Sequence, residues 1–360
     1  MNEAAIVRVR AAPLNVPMTE PFEIATGVRT RVENVLVLVK LADGTHGFGE
    51  CAPFSAVSKE TQASALAAVR RGREHLIGKN ASDFLSLARA LEERIGPHGS
   101  ARAGLEMAVL DARMRQLGIP LWRYFGGAGR RVRTDITVTL VTPSAARRAA
   151  RRILARGVST IKIKIGRDLD EDIERIRAVA SEAPRAELLL DANEGYRARQ
   201  ALSLLRRLRA LGIRPALLEQ PVARHDWTGL AQVSREGGVP VAADESVSSL
   251  AEAWTLLRHR AAAVINIKLM KYGIAHALAI ARLARASGLR LMIGGMVEST
   301  LAMGCAAHLA AGFGGFRFID LDTPLWFARN PMRGLSIGPG GLYDLGPVRA
   351  GIGSFPRDSA

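Results

Sequence analysis

Residues 160–166, Thr-Ile-Lys-Ile-Lys-Ile-Gly, decide how this chain is read, because apolar and charged side chains alternate over a run too short for a helix. Alternation marks a strand, with Ile161, Ile163 and Ile165 on one face and Lys162 and Lys164 on the other. Seven further short runs rich in Val, Ile and Leu share its character: DITVTLV (135–141), AELLLDAN (186–193), PALLEQP (215–221), VPVAADES (239–246), AVINIKLMK (263–271), LRLMIGGM (289–296) and FRFIDLD (316–322). From Lys164 the polar ends fall at Asp191, Glu219, Asp244 and Lys268, at steps of 27, 28, 25 and 24 residues. One strand, one helix and two loops fill such a step, and near-continuous apolar runs are what strands covered on both faces show. Eight units of this kind predict an α/β fold, a (β/α)8 TIM-like barrel over residues 129–325. An open doubly wound sheet would carry a G-x-G-x-x-G fingerprint after its first strand, and none follows DITVTLV.

The flanks differ in kind. Residues 1–128 read as an α+β capping domain: IVRVRAAPL and ENVLVLVKLADGTHGFGE form antiparallel strands with a hairpin at Asp43-Gly44, and helices follow at 59–76, 81–95 and 99–117. Residues 326–360 hold seven glycines between 334 and 353, too many for a helix, and are expected to return to the capping domain as short strands.

Composition narrows the function. The chain has 360 residues, 48% of them hydrophobic and 23% charged, which excludes disorder. Two cysteines, Cys51 and Cys305, exclude a disulfide scaffold and a four-thiolate zinc site. A net charge of +16 invites nucleic acid. However, the arginines are spread over nearly every helix (Arg70, Arg147, Arg151, Arg206, Arg285) and aromatic residues are only 5%, so a solvated exterior is the expectation, with no nucleic-acid partner. The N-terminal residues lack an apolar core, and no stretch reaches the roughly 20 apolar residues of a membrane span, so a cytoplasmic protein without a membrane partner is expected. Of the fifty basic residues only seven are lysines, and Lys162, Lys164, Lys268 and Lys271 fall in two short segments. Where Arg is the habitual cation, clustered Lys calls for an explanation.

In such a barrel the C-terminal strand ends gather at one mouth. Asp191, Glu219 and Asp244 then converge from successive strands, which is costly unless a cation neutralises them. An all-oxygen set without His or Cys favours a hard divalent ion, Mg²⁺ first. Lys162 and Lys164 face the barrel interior, with Lys268 opposite. Arginine supplies charge but does not give up a proton, whereas a crowded lysine does. Two such groups on opposite sides of a metal-bound carbon acid can take a proton from one face and return one to the other.

At these residues the sequence resembles the enolase superfamily, in its muconate-lactonizing-enzyme subgroup. The resemblance rests on K-x-K (Lys162, Lys164), D-x-N (Asp191, Asn193), E-Q-P (Glu219), D-E-S (Asp244, Glu245) and Lys268, and extends over nearly the whole chain. It implies Mg²⁺ on Asp191, Glu219 and Asp244, and Lys164 and Lys268 as acid/base pair, tuned toward about 7–8. Lys162 would hold the substrate carboxylate and depress the pKa of Lys164, with Asn193, Glu245 and Asn266 supporting the ligands. Within the subgroup, Asp320 and Asp322 resemble the D-x-D of dipeptide epimerases, suited to an α-ammonium, and the segment Gly294–Ser299, with Met296 against the substrate, resembles theirs too. The expected activity is therefore epimerisation of a dipeptide at its C-terminal residue, in an enzyme expected to be a homo-oligomer. N-acylamino acid racemisation, o-succinylbenzoate synthesis or cycloisomerisation would use the same lysines and metal but has no use for the two aspartates. The Ala-Glu epimerases carry an arginine in the first capping loop; here that loop is Pro21-Phe22-Glu23-Ile24-Ala25-Thr26-Gly27, which points to an apolar or cationic second residue. The other capping loop, with Phe54, is expected at the first substrate residue.

Overall fold

The computed structural model describes residues 2–24 and 27–357, without the side chains of 22–29, 56 and 57. Three antiparallel strands come first: β1 (Ile6–Ile24), β2 (Gly27–Leu41) and β3 (His46–Cys51), in the order β1-β2-β3. The β2–β3 turn carries Gly44 at φ +93°, a left-handed conformation that glycine adopts without strain. Helices α1 (Gln62–Leu76), α2 (Phe84–Ile95) and α3 (Gly99–Gln116) follow, where three helical stretches are expected. The all but completely buried α3 lies against β3 at a distance that admits no side chain: a Cβ on Gly49 would sit 2.0 Å from the Gly104 carbonyl oxygen, and one on Gly47 would sit 2.1 Å from Ala112 N.

Among the described residues, eight parallel strands then form one curled sheet in sequence order: β4 (Ile136–Val138), β5 (Thr160–Lys164), β6 (Glu187–Asp191), β7 (Leu217–Glu219), β8 (Val241–Ala243), β9 (Val264–Lys268), β10 (Arg290–Gly294) and β11 (Phe316–Ile319). All eight apolar runs hold a strand. The strands are shorter than the runs because the last residues of each run turn away into the loops at the mouth. The Asp135 N–H donates to the Ile319 carbonyl at 3.0 Å, and Leu321 N to Thr134 Oγ1 at 2.7 Å, which joins the first strand to the last. Helices α4 (Pro143–Ala155), α5 (Leu169–Glu182), α6 (Ala198–Ala210), α7 (Trp227–Glu236), α8 (Leu250–His259), α9 (Ile274–Ala286) and α10 (Ala302–Phe313) alternate with them.

The two faces of the strands build two cores. Outward residues such as Ile161, Leu190, Leu218, Ala243 and Ile267 join the main core with the helices. Inward ones form a small separate plug of Leu189, Leu217, Ala242, Val264, Met292 and Phe318. Because strand side chains repeat every two residues, Asp191, Glu219, Asp244, Asn266, Gly294 and Asp320 stand one step above this plug. An apolar floor thus lies directly beneath the charged layer and keeps water from reaching it from below.

The short strands of the tail pair with each other and with the start of the barrel region rather than with the capping sheet. Met332–Gly334 pairs with Ser354–Pro356, while Leu342–Asp344 pairs with Arg131–Arg133 beside the barrel. Gly351 exchanges backbone hydrogen bonds with Ile119 and Leu121, and Ile352 N donates to Asp111 Oδ1 of α3 at 2.8 Å.

Candidate active site

The mouth of the barrel holds a small cavity of about 40 Å³ whose walls include Lys164, Lys268, Asn193, Glu245, Met296, Asp320 and Asp322, with Phe54 from the capping domain. β5 sends both lysines inward. Lys162 lies below the cavity, 1% exposed, and its Nζ reaches Asp320 Oδ2 at 2.5 Å, Glu219 Oε2 at 2.8 Å and Asp191 Oδ2 at 3.0 Å. Lys164 Nζ donates to Asp191 Oδ2 at 2.6 Å and to Asn193 Oδ1 at 3.1 Å. Across the barrel, Lys268 Nζ meets Asp244 Oδ2 at 2.7 Å.

Asp191 and Glu219 are register partners on adjacent strands, and Asp244 lies two residues beyond Ala242, the partner of Glu219. The three carboxylates thus end successive strands, but their ligand atoms are not all within 4.8 Å of one another, as those of Asp135, Asp320 and Asp322 are. They are turned instead onto ammonium groups, because buried carboxylates require counter-charge. Burial would raise Asp191, but Lys162, Lys164 and Lys268 overcome it and hold the acid well below the usual carboxylate range. Asp244 is lowered in the same way, against burial, by Lys268 and Lys271. Glu219 goes the other way: burial and Asp191 push it up to about 7, and its Oε2 meets Lys162 without hydrogen-bond geometry. Asn266 Nδ2 donates to Glu219 Oε1 at 2.7 Å, and Asn193 Nδ2 to Glu245 Oε1 at 3.1 Å. Burial and Asp244 lift Glu245 to about 8.

This all-oxygen set fits a hard divalent cation, with Glu219 as the acid in want of positive charge. The lysines give the same answer. Burial alone would lower Lys268, yet Asp244, Glu219 and Glu245 raise it well above the usual lysine range, opposite in direction to the expected tuning toward neutrality. A lysine serves as a base at neutral pH only where another cation has taken up the charge of those carboxylates.

At the other end of the cavity, Asp322 Oδ2 accepts from Thr137 N at 2.8 Å and Trp326 Nε1 at 3.2 Å. The Ala25–Thr26 tip of the first capping loop and the side chains of Phe22, Glu23 and Arg29 lie outside the described residues. Cys51 is fully buried and its thiol is pushed up by burial, in keeping with packing.

Three groups escaped the sequence reading. Lys271 Nζ donates to Asp244 Oδ1, Asp244 O and Asn266 O, each at 2.9 Å. Its position three residues after Lys268, in a chain poor in lysine, was the available signal. Glu50 of β3 accepts from Asn34 Nδ2 at 2.7 Å and from Ser299 Oγ at 2.5 Å, while Asn34 Nδ2 also reaches the Val297 carbonyl at 2.8 Å, fastening the capping sheet to the loop that carries Met296. Asp135, Asp320 and Asp322 form a carboxylate cluster whose ligand atoms lie within 4.8 Å of one another.

Residues 6–126 match the mandelate racemase/muconate lactonizing enzyme N-terminal domain, and residues 144–353 match the enolase C-terminal domain-like family. The chain belongs to this enzyme family of the enolase superfamily. The aromatic dipeptide epimerase of Herpetosiphon aurantiacus is 47% identical over 95% of this chain and 97% of its own length. The hydrophobic dipeptide epimerase of Citrifermentans bemidjiense is 39% identical over 97% of both. The crystal structure of the Enterococcus faecalis dipeptide epimerase, complexed with Mg and the dipeptide L-Leu-L-Tyr, superposes with a TM-score of 0.94 at 30% identity, covering 97% of this chain and 99% of that one. The family member described here thus sits among epimerases, which are isomerases. Among the described residues, no helix is long and apolar enough to cross a membrane.

Proposed function

We propose that the chain is a Mg²⁺-dependent dipeptide epimerase that inverts the α-carbon of the C-terminal residue. The observation that carries the reading is one cavity walled by Lys164 and Lys268 together with the aspartate pair Asp320 and Asp322. The lysines suit proton transfer at two faces of one carbon, and the aspartates suit a cationic amine. Asp191, Glu219 and Asp244 would hold Mg²⁺, which when bound would supply Lewis-acid charge to the substrate carboxylate and so acidify the neighbouring α-proton. One of Lys164 and Lys268 removes that proton and the other delivers one to the opposite face of the planar enediolate. Asn193 orients Lys164, and Asn266 orients Glu219. Lys162 balances charge beneath the substrate carboxylate. Phe54, Met296 and Val297 give the cavity an apolar wall, and two of the relatives are named for aromatic and hydrophobic dipeptides, so the substrate is an apolar dipeptide.

The test is incubation with a dipeptide library in D₂O with Mg²⁺, followed by mass spectrometry. Deuterium enters at the C-terminal α-carbon of apolar dipeptides, EDTA abolishes the exchange, and Lys164→Ala and Lys268→Ala each lose epimerisation. Exchange of N-succinyl or N-acetyl amino acids but of no dipeptide would overturn the reading.

A further inference from the structure

The seam where β4 meets β11 holds more negative charge than it has partners for. Asp135 is 1% exposed, and among the described residues neither of its carboxylate oxygens has a hydrogen-bond partner. It is aimed at Asp320 and Asp322, the three ligand atoms lying within 4.8 Å of one another. Asp322 Oδ1 is likewise without a partner. Lys162, the ammonium that faces this cluster, is shared with Asp191 and Glu219. Burial, then Asp320 and Asp322, push Asp135 far above the usual carboxylate range, so its negative charge is held back until a cation reaches the cluster.

We propose that Asp135 is a specificity-determining residue that makes the amine end of the cavity select a free cationic amine over an acylated, neutral one. It acts through Asp320 and Asp322, which line the cavity while Asp135 stands behind them. The inference rests on the dipeptide reading above. A substrate ammonium brings the charge the cluster lacks. An N-acyl group brings only a neutral amide and leaves the buried carboxyl of Asp135 without the cation that would draw out its charge. From behind the cavity wall, at about 8 Å and an effective dielectric of about 20, one carboxylate alters the binding of a cation by about 2 kcal/mol, or one to two orders of magnitude.

The experiment compares an apolar L,L-dipeptide with its N-acetylated form in wild type, Asp135→Asn and Asp135→Ser, by α-proton exchange in D₂O with Mg²⁺. In wild type the free amine is preferred. Both variants lose about 10- to 100-fold of that preference, through a higher KM for the free dipeptide, with its kcat changed less than about 3-fold and with the N-acetyl substrate unharmed or improved. Melting temperature separates this from a structural role: removing a repelled buried carboxylate leaves Tm at or above the wild-type value. A fall in Tm with equal losses on both substrates, or an unchanged preference in both variants, would overturn the proposal. Failure of wild type to exchange dipeptides would instead overturn the function assigned above.

Discussion

Lys271→Met removes an ammonium from the most highly charged part of the molecule and keeps much of its apolar bulk. The lysine side chain is 2% exposed. It makes three hydrogen bonds of 2.9 Å, to Asp244 Oδ1, Asp244 O and Asn266 O, and so fastens the end of β8 to the end of β9. Its loss leaves a buried carboxylate with Lys268 alone and two buried carbonyls without that donor. Breaking a buried ion pair on one side costs about 3–5 kcal/mol. That is a large part of a total stability on the order of 10 kcal/mol. For a chain of this size the melting temperature falls by about 4–7 °C. Asp244 also loses the contact that fixes one of its oxygens, so Mg²⁺ affinity by titration calorimetry falls about 10-fold or more. Lys271→Arg restores charge but not a compact three-way donor, and recovers only part of either loss. A Lys271→Met protein with Tm within about 2 °C of wild type and unchanged Mg²⁺ affinity would refute the reasoning.

Other outcomes follow from the same packing and electrostatics. Gly49→Ala places a Cβ 2.0 Å from the Gly104 carbonyl oxygen, so the capping sheet must separate from α3; thermal melting registers a loss of about 3 kcal/mol or more, and a neutral result would contradict the close approach. His308 is fully buried, with Nδ1 accepting from Trp122 N and Nε2 donating to the Ile352 carbonyl, both at 2.9 Å. Burial lowers it to about 4 from an ordinary 6.5. Between these pH values the unfolded chain binds a proton the folded one refuses, so this contribution is intact above about 6.5 and is lost as pH falls toward 4. It amounts to on the order of 3 kcal/mol. His308→Gln should flatten the acid side of a stability-against-pH curve relative to wild type, and parallel curves would count against it.

The barrel was legible because its strands are buried on both faces and its polar residues recur at repeat spacing, as TIKIKIG followed by LLLDAN illustrates. Lysine scarcity made the proposed proton-transfer pair visible in the same way: an arginine-rich exterior made Lys164 and Lys268, with Lys162, stand out. What stayed hidden depends on where the reading looked. Strand-end logic searches the C-terminal ends, and Asp135 stands before β4 rather than after it, joining Asp320 and Asp322 only because the seam closes through its own N–H. Glu50 lies some 250 residues from Ser299, which it meets across the interface between capping sheet and barrel, so no local spacing relates them. Protonation is further from sequence still. Lys268 on β9 is chemically the residue one would choose as a base, yet its surroundings raise its pKa; a cation taking up the charge of Asp191, Glu219 and Asp244 would turn the same lysine toward neutrality. The candidate acid/base residues are thus legible in the chain, whereas their reactivity belongs to the charge balance of the assembled site.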